Sequence, residues 1–382
     1  MKAFEVHVSD EEVADLKARL AATRWPREEP ENAGWDYGAN MAYVKELCAY
    51  WQNSFDWRAV EAEINGFDNF TTEIDGQDIH FIVEQGSGAN PVPLLLTHGW
   101  PGSILEFIKV IEPLAHPERF GGDAEDGFTV VVPSLPGYGF SGSPGKPIDC
   151  RHVAGLWRKL MVDVLEHSRF IAQGGDWGCL VTSWIAADHG DVCIGAHHNM
   201  WIMRPPMGEG HAPPDAEEQV WLDGRSSGMA KETAYQMIQA TKPQSLSYGL
   251  TDSPAGLAGW ITEKFHRWGD THGEIESSFS KDRLLANIAL YWFTATINTS
   301  TWMYCAIPLG QNFSPPDDRR IETPVGIAQF PGDTFQMPPR QWVERAANVV
   351  HWTTMPSGGH FAAMEEADLF VDDVRAFRRL IA

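Results

Sequence analysis

Six short, nearly continuous apolar runs constrain the fold of this 382-residue chain more than any other feature. They occupy residues 92–96, 129–132, 170–172, 192–196, 325–330 and 349–352. Runs this short, apolar without alternation, fit strands that are buried on both faces of a parallel sheet. Helical stretches lie between several of them, as at 105–114 and 153–167, so the chain reads as an open α/β sheet with crossover helices. Just upstream, residues 71–74 and 79–83 flank Asp75-Gly76 and predict a β-hairpin.

Two regions fall outside that alternation. Residues 1–70 read as a helical extension. There Ser9 and Glu12 have capping-box spacing, Val13, Leu16 and Leu20 share a helical face, and Arg24-Trp25-Pro26 stops the helix. A second helix is expected over 43–55, placing Val44, Leu47, Ala49 and Trp51 among aromatics. Residues 201–310 open on proline-rich loops at Pro205-Pro206 and Pro213-Pro214. Amphipathic stretches at 217–222, 231–240, 257–268 and 282–298 follow. This insertion is expected to form a helical cap between the first part of the core, 71–200, and the second part, 311–382.

The sequence Gly174-Gly175-Asp176-Trp177-Gly178 directly follows the third apolar run. Small residues two before and two after Asp176 permit a sharp strand-to-helix turn, which lifts the central side chain clear of the sheet. A capping Asp in a glycine-rich turn would read the same way in isolation. In a nucleophile's place, a carboxylate is poor at acyl transfer but can displace a leaving group from saturated carbon and form an alkyl ester. The loop His98-Gly99-Trp100-Pro101-Gly102-Ser103 follows the first run. It stands where an oxyanion hole would be built, with the N–H groups of Trp100 and Trp177 as donors. His98 itself reads as structural, and Pro101 raises the expectation of a cis bond after Trp100.

Asp333 follows the fifth run and His360 the sixth, in the order nucleophile, acid, histidine that marks an α/β-hydrolase fold. Asp317, Asp318, Glu365 and Glu366 compete with Asp333 for the acid's place. The fold expected is therefore a mostly parallel central sheet with helices on both faces, a helical cap insertion and an N-terminal helical extension.

A net charge of -23 argues against nucleic acid or an anionic membrane as partner. No apolar stretch reaches the length that spans a bilayer, and the polar, acidic start is unlike a signal peptide. Cys48, Cys150, Cys179, Cys193 and Cys305 are scattered without a CxxC pair, which fits a soluble protein of the reducing cytoplasm.

Taken together, these motifs resemble the epoxide hydrolases of the microsomal-like branch. The resemblance runs over nearly the whole chain: Trp35-Asp36-Tyr37 and Phe55-Asp56-Trp57-Arg58, the His98 to Ser103 loop, Pro136-Gly137-Tyr138-Gly139-Phe140-Ser141, and Gly175-Asp176-Trp177-Gly178. Thr241-Lys242-Pro243, Tyr291-Trp292 and Gly359-His360-Phe361 complete it. It implies a hydrolase acting on ether bonds, with Asp176 as nucleophile and His360, oriented by Asp333, activating water. It also implies that two cap tyrosines, Tyr235 and Tyr304, bind the epoxide oxygen, with Tyr248 and Tyr291 as substitutes. Substrate would contact Trp100, Trp177, Tyr235 and Tyr304. Water and a small hydrophobic epoxide would be the partners, with no cofactor and no metal, and a homodimer is compatible with the chain.

Detoxification and secondary metabolism fit equally. The rival chemistry is that of haloalkane dehalogenases, which share an Asp nucleophile followed by Trp. A non-catalytic ligand-binding homologue is the rival of another class. The cap residues Trp201, Met203, Trp221, Met237, Trp260, Trp302 and Met303 are expected to line an aromatic pocket.

Overall fold

The computed structural model describes every residue except 28, 29, 32, 316–318 and 382, and the backbone alone for 226–228, 230 and 231. Among the described residues, nine strands form one sheet. They are β1 (Lys2–Ala3), β2 (Asp68–Ile74), β3 (Gln77–Glu84), β4 (Val92–Thr97), β5 (Phe128–Pro133), β6 (Phe170–Gly174), β7 (Cys193–His198), β8 (Ile321–Gln329) and β9 (Ala347–Thr354). Their order is β1-β2-β3-β5-β4-β6-β7-β8-β9. The pairs from β5 to β9 are parallel, while β1, β2 and β3 form an antiparallel edge. All six apolar runs fall on parallel strands, Val192 and Phe330 lying just outside theirs, and every residue of β5 and β6 is buried. Strand β9, at the sheet edge, is only half-buried, with Val350 exposed, so the run at 349–352 is not covered on both faces as expected. The hairpin is also present: Ile74 pairs with Gln77 across Asp75 and Gly76, whose φ angles of 54° and 78° suit a two-residue turn.

Three helices precede the hairpin: α1 (Asp10–Ala21), α2 (Met41–Asn53) and α3 (Trp57–Asn65). Ser9 and Glu12 form the reciprocal capping box at the start of α1, and α1 ends at Ala21, short of the Arg24-Trp25-Pro26 stop. Helix α3 is an addition to the sequence reading. It has nine residues, capped by Asp56, with Trp57, Val60 and Ile64 buried, too short for its period to stand out.

In the core, the stretch at 105–114 divides into a tight turn, Ile104–Glu106, and α4 (Ile108–Ala115), which carries Pro113. Helix α5 (Cys150–Lys159) ends in a wider turn at Leu160–Val164, so the single helix expected over 153–167 is interrupted. Helix α6 (Asp176–Asp188) is apolar on nearly every side, with ten consecutive residues buried from Trp177 to Ala186. It packs on α5 and on the sheet, and α4 packs with the last helix, Ala367–Ile381.

Among the described residues, five longer helices are inserted between β7 and β8, α7 (Ala216–Glu232), α8 (Ala234–Thr241), α9 (Pro243–Asp252), α10 (Pro254–Trp268) and α11 (Lys281–Thr294), followed by the short helix Trp302–Cys305. Proline at the first position starts both α9 and α10. Helix α9 was not evident in the sequence, because it buries only Ser247 and Leu250 and so has little apolar stripe to read. The N-terminal helices pack on this insertion, with α2 against α10 and α11. Arg283 of α11 bonds Glu63 of α3 at 2.6 Å.

Candidate active site

Asp176 begins α6 directly after β6, in a left-handed backbone conformation with φ of 46°. The turn is possible because its neighbours lack side chains. A methyl group on Gly174 would collide with the backbone of Gly178, and one on Gly178 with the carbonyl of Thr97 at the end of β4. A strained conformation of this kind persists only where its surroundings enforce it.

The side chain that the turn lifts up meets three loops. Asp176 Oδ1 accepts a hydrogen bond from the Trp100 N–H at 2.8 Å. Its Oδ2 lies 3.4 Å from His360 Nε2. His360 Nδ1 lies 3.3 Å from both oxygens of Asp333. Asp333 is fixed in turn by the Phe335 N–H, which donates to its Oδ1 at 2.8 Å. The backbone N–H of His360 donates to the carbonyl of Trp268 at 3.0 Å, so the cap's last α10 residue holds the histidine loop.

Tyr235, on α8, and Tyr304, in the short helix Trp302–Cys305, close the site from above. Both are buried. Trp100 stacks on Tyr235 with ring centroids 5.2 Å apart, and Trp177 meets Tyr304 edge-on at 4.6 Å. The peptide bond between Trp100 and Pro101 is cis. His98 sits behind the loop, its Nδ1 3.0 Å from the Gly99 carbonyl and its Nε2 accepting from the Leu135 N–H. Burial depresses His98 to about 4, so it is neutral and occupied.

Two shifts matter for chemistry. Burial works against a charge on His360, but Asp333 and Asp176 outweigh it and raise its pKa well above the ordinary histidine range. Burial, reinforced by the charge of Asp176, raises Tyr235. Burial, then the neighbouring Tyr235 and Asp176, raises Tyr304. Both phenols therefore stay protonated and able to donate.

The other tyrosine candidates are elsewhere. Tyr248 is 72% exposed, and Tyr291 donates its hydroxyl to the Gly102 carbonyl at 2.7 Å. Of the competing acids, Glu365 accepts from the N–H groups of Asp270 and Phe361, and Glu366 from Ser357. Asp317 and Asp318 lie outside the described residues.

Asp176, Trp177, Tyr235 and Tyr304 line one cavity of about 450 Å³. Its remaining wall corrects the expectation of an aromatic cap lining. None of Trp201, Met203, Trp221, Met237, Trp260, Trp302 and Met303 faces it; the apolar wall includes Met200, Ile202, Leu222, Ile307, Phe313 and Phe335 instead. Trp201 is buried with its indole N–H on the Met203 carbonyl, Met237 is exposed, and Trp221 packs on Trp342. An apolar residue on a cap helix can face core, solvent or pocket, and composition does not distinguish them.

The sequence reading missed the brace under the oxyanion loop. From α11, Asn287 donates to the Pro101 carbonyl at 2.8 Å and accepts from the Ser103 hydroxyl at 2.7 Å, one turn from Tyr291 on Gly102. The signal was present, since two polar groups four residues apart on a buried helical face need partners.

Comparison with known proteins bears on the family and the fold. The sequence profile described as epoxide hydrolase N terminus matches residues 1–107, and that of the alpha/beta hydrolase fold matches residues 92–222. The chain is 40% identical to a Stigmatella aurantiaca protein named as a candidate epoxide hydrolase, over 99% of this chain and 85% of that one. It is 36% identical to epoxide hydrolase 1 of Oryctolagus cuniculus, over 100% of this chain and 89% of that one. The solved structure of Aspergillus niger epoxide hydrolase superposes with a TM-score of 0.86 at 31% identity, covering 100% of this chain and 96% of that one. Among the described residues, no helix is long and apolar enough to cross a membrane. By profile, by full-length identity and by fold, the chain belongs to the epoxide hydrolase family of α/β hydrolases.

Proposed function

We propose that the protein opens an epoxide with an apolar body to a vicinal diol, through an ester on Asp176. The observation that carries this reading is the setting of the Asp176 carboxylate. One oxygen is held by the Trp100 N–H, the other faces His360, and two protonated tyrosines share its cavity.

Tyr235 and Tyr304 hydrogen-bond the epoxide oxygen. Asp176 Oδ2 attacks a ring carbon, the carbon–oxygen bond breaks, and one tyrosine passes its proton to the leaving alkoxide. Ester formation cancels the charge of Asp176, one of the two charges that hold a proton on His360. The histidine pKa therefore falls, and the proton it releases balances the one the tyrosine gave up. Neutral His360, oriented by Asp333, then takes a proton from water, and the resulting hydroxide attacks the ester carbonyl. The oxyanion is bound by the N–H groups of Trp100 and Trp177. Collapse frees the diol, with the histidine's proton on its new hydroxyl. The second water proton, left on the carboxylic acid of Asp176, passes to His360 and restores the carboxylate beside a protonated histidine. The five free cysteines, four of them buried, favour a cytoplasmic setting for this chemistry.

The test is His360→Gln in rapid-quench mass spectrometry with an aryl epoxide such as styrene oxide. The enzyme should gain the mass of one substrate on the peptide containing Asp176 and then stall. Loss of turnover without any adduct would overturn the two-step route.

A further inference from the structure

The cavity over Asp176 carries two positive charges that the chemistry proposed above does not use. Arg204, just after β7, and Arg225, on α7, both line it, and among the described residues the sole acidic one in its wall is Asp176 itself. Among the described residues, neither guanidinium has a carboxylate within 4 Å, unlike Arg19, Arg58, Arg151, Arg283 and Arg345, each of which is paired with one. The two converge on one cavity.

Each guanidinium is backed by an aromatic ring. Arg204 Cζ lies 5.9 Å from the centroid of Phe313, and Arg225 Cζ lies 5.4 Å from that of Trp221. A ring at this distance steadies the charge without taking up its N–H donors. The cavity wall packed around Arg225 shields it from part of its solvent, and this with the charge of Arg204 lowers its pKa, so the two cations oppose one another until an anion comes between them. Both residues keep exposed surface while lining the cavity, which places them toward its mouth, with Asp176 at its base and the tyrosines over it.

We propose that the substrate is an anionic epoxide: an apolar chain with the oxirane at one end, for Asp176, and a carboxylate at the other, held by Arg204 and Arg225. The planar fork of a guanidinium matches a carboxylate edge to edge, and the apolar wall between the two sites suits a hydrocarbon spacer. This rests on the epoxide-opening reading and adds the substrate's second functional group. It also fits the charge of the site: a carboxylate at the mouth is neutralised before it can repel the anionic nucleophile.

The test is a matched pair, the terminal epoxide of octanoic acid and its methyl ester, measured as kcat/KM on the purified protein. The acid should be preferred over the ester about tenfold, chiefly through KM, as exposed charge pairs contribute. Raising the salt concentration should narrow that preference. Arg204→Gln and Arg225→Gln should each lower the acid-to-ester ratio, and the double variant should bring it to about one. A wild-type ratio at or below one, or a ratio untouched in the double variant, would overturn the proposal. If neither compound is turned over and neither labels Asp176, the epoxide-opening reading itself falls, a result distinct from turnover without preference.

Discussion

The three residues of the floor, Asp176 at the base of the cavity with His360 and Asp333 buried behind it, stand on turns at the ends of strands, whereas the two tyrosines of its roof come from cap helices with no such anchor. Asp176 is held by backbone alone, through its positive φ and the close approach of Gly174 and Gly178 to other main chain. His360 and Asp333 follow β9 and β8, and each is tied by main-chain N–H or carbonyl groups. Tyr235 and Tyr304 are placed by ring contacts with Trp100, Trp177 and Trp268. A backbone anchor tolerates almost no change in geometry, while ring packing tolerates small ones. The floor should therefore fail all at once, and the roof by degrees.

The largest effect should come from Asp176→Ala, with kcat/KM reduced by roughly 10⁴-fold or more and no adduct formed. Turnover above that level would break the comparison, since the roof would then be directing water at the epoxide unaided. Circular dichroism should stay that of the wild type, because the side chain makes no contact on which the elbow depends.

Next come Tyr235→Phe and Tyr304→Phe. Each should slow ester formation by roughly 10- to 100-fold, because one donor remains, and the double variant should approach the loss seen at Asp176. Stopped-flow tryptophan fluorescence can follow the step, given Trp100 and Trp177 at the site. As both phenol pKa values are raised, ester formation in the wild type should show no decline up to about pH 10. A single variant that loses nothing would reduce the roof to one working donor.

The same contrast decides what could be read in the sequence. Buried parallel strands leave continuous apolar runs, and the elbow needs glycine at fixed offsets, so the sheet, Asp176 and the positions of Asp333 and His360 were all legible. Tyr235 and Tyr304 were reached only through family resemblance, because nothing local separates a donor tyrosine from a packing one such as Tyr291 or an exposed one such as Tyr248. The cavity wall was misread for the same reason: a Trp or Met on a cap helix carries no mark of which way it faces. Arg204 and Arg225 were invisible, because an unpaired charge is defined by the absence of neighbours in space.

Floor and roof meet at Glu365, where the smallest effect is expected. Its carboxylate accepts from the Asp270 N–H of the cap at 2.7 Å and from the Phe361 N–H beside His360 at 2.9 Å. Burial pushes it up to about 7. A carboxyl raised in the folded state binds its proton more tightly there than in the unfolded chain. Its contribution to stability is therefore full below the ordinary glutamate range, near pH 4.5, and is lost as pH rises through about 7. Glu365→Gln removes that titration and turns an NH₂ toward one of the two donors. The variant should be less stable than wild type by roughly 1–3 kcal/mol at pH 5, with the gap narrowing by pH 8. Urea unfolding at the two pH values measures this directly. Turnover should fall only a few-fold, because Asp333 still orients the ring of His360. A gap that widens with pH would mean that Glu365 is held as a charged group, and that the cap is tied to the histidine loop by a carboxylate at every pH where the enzyme works.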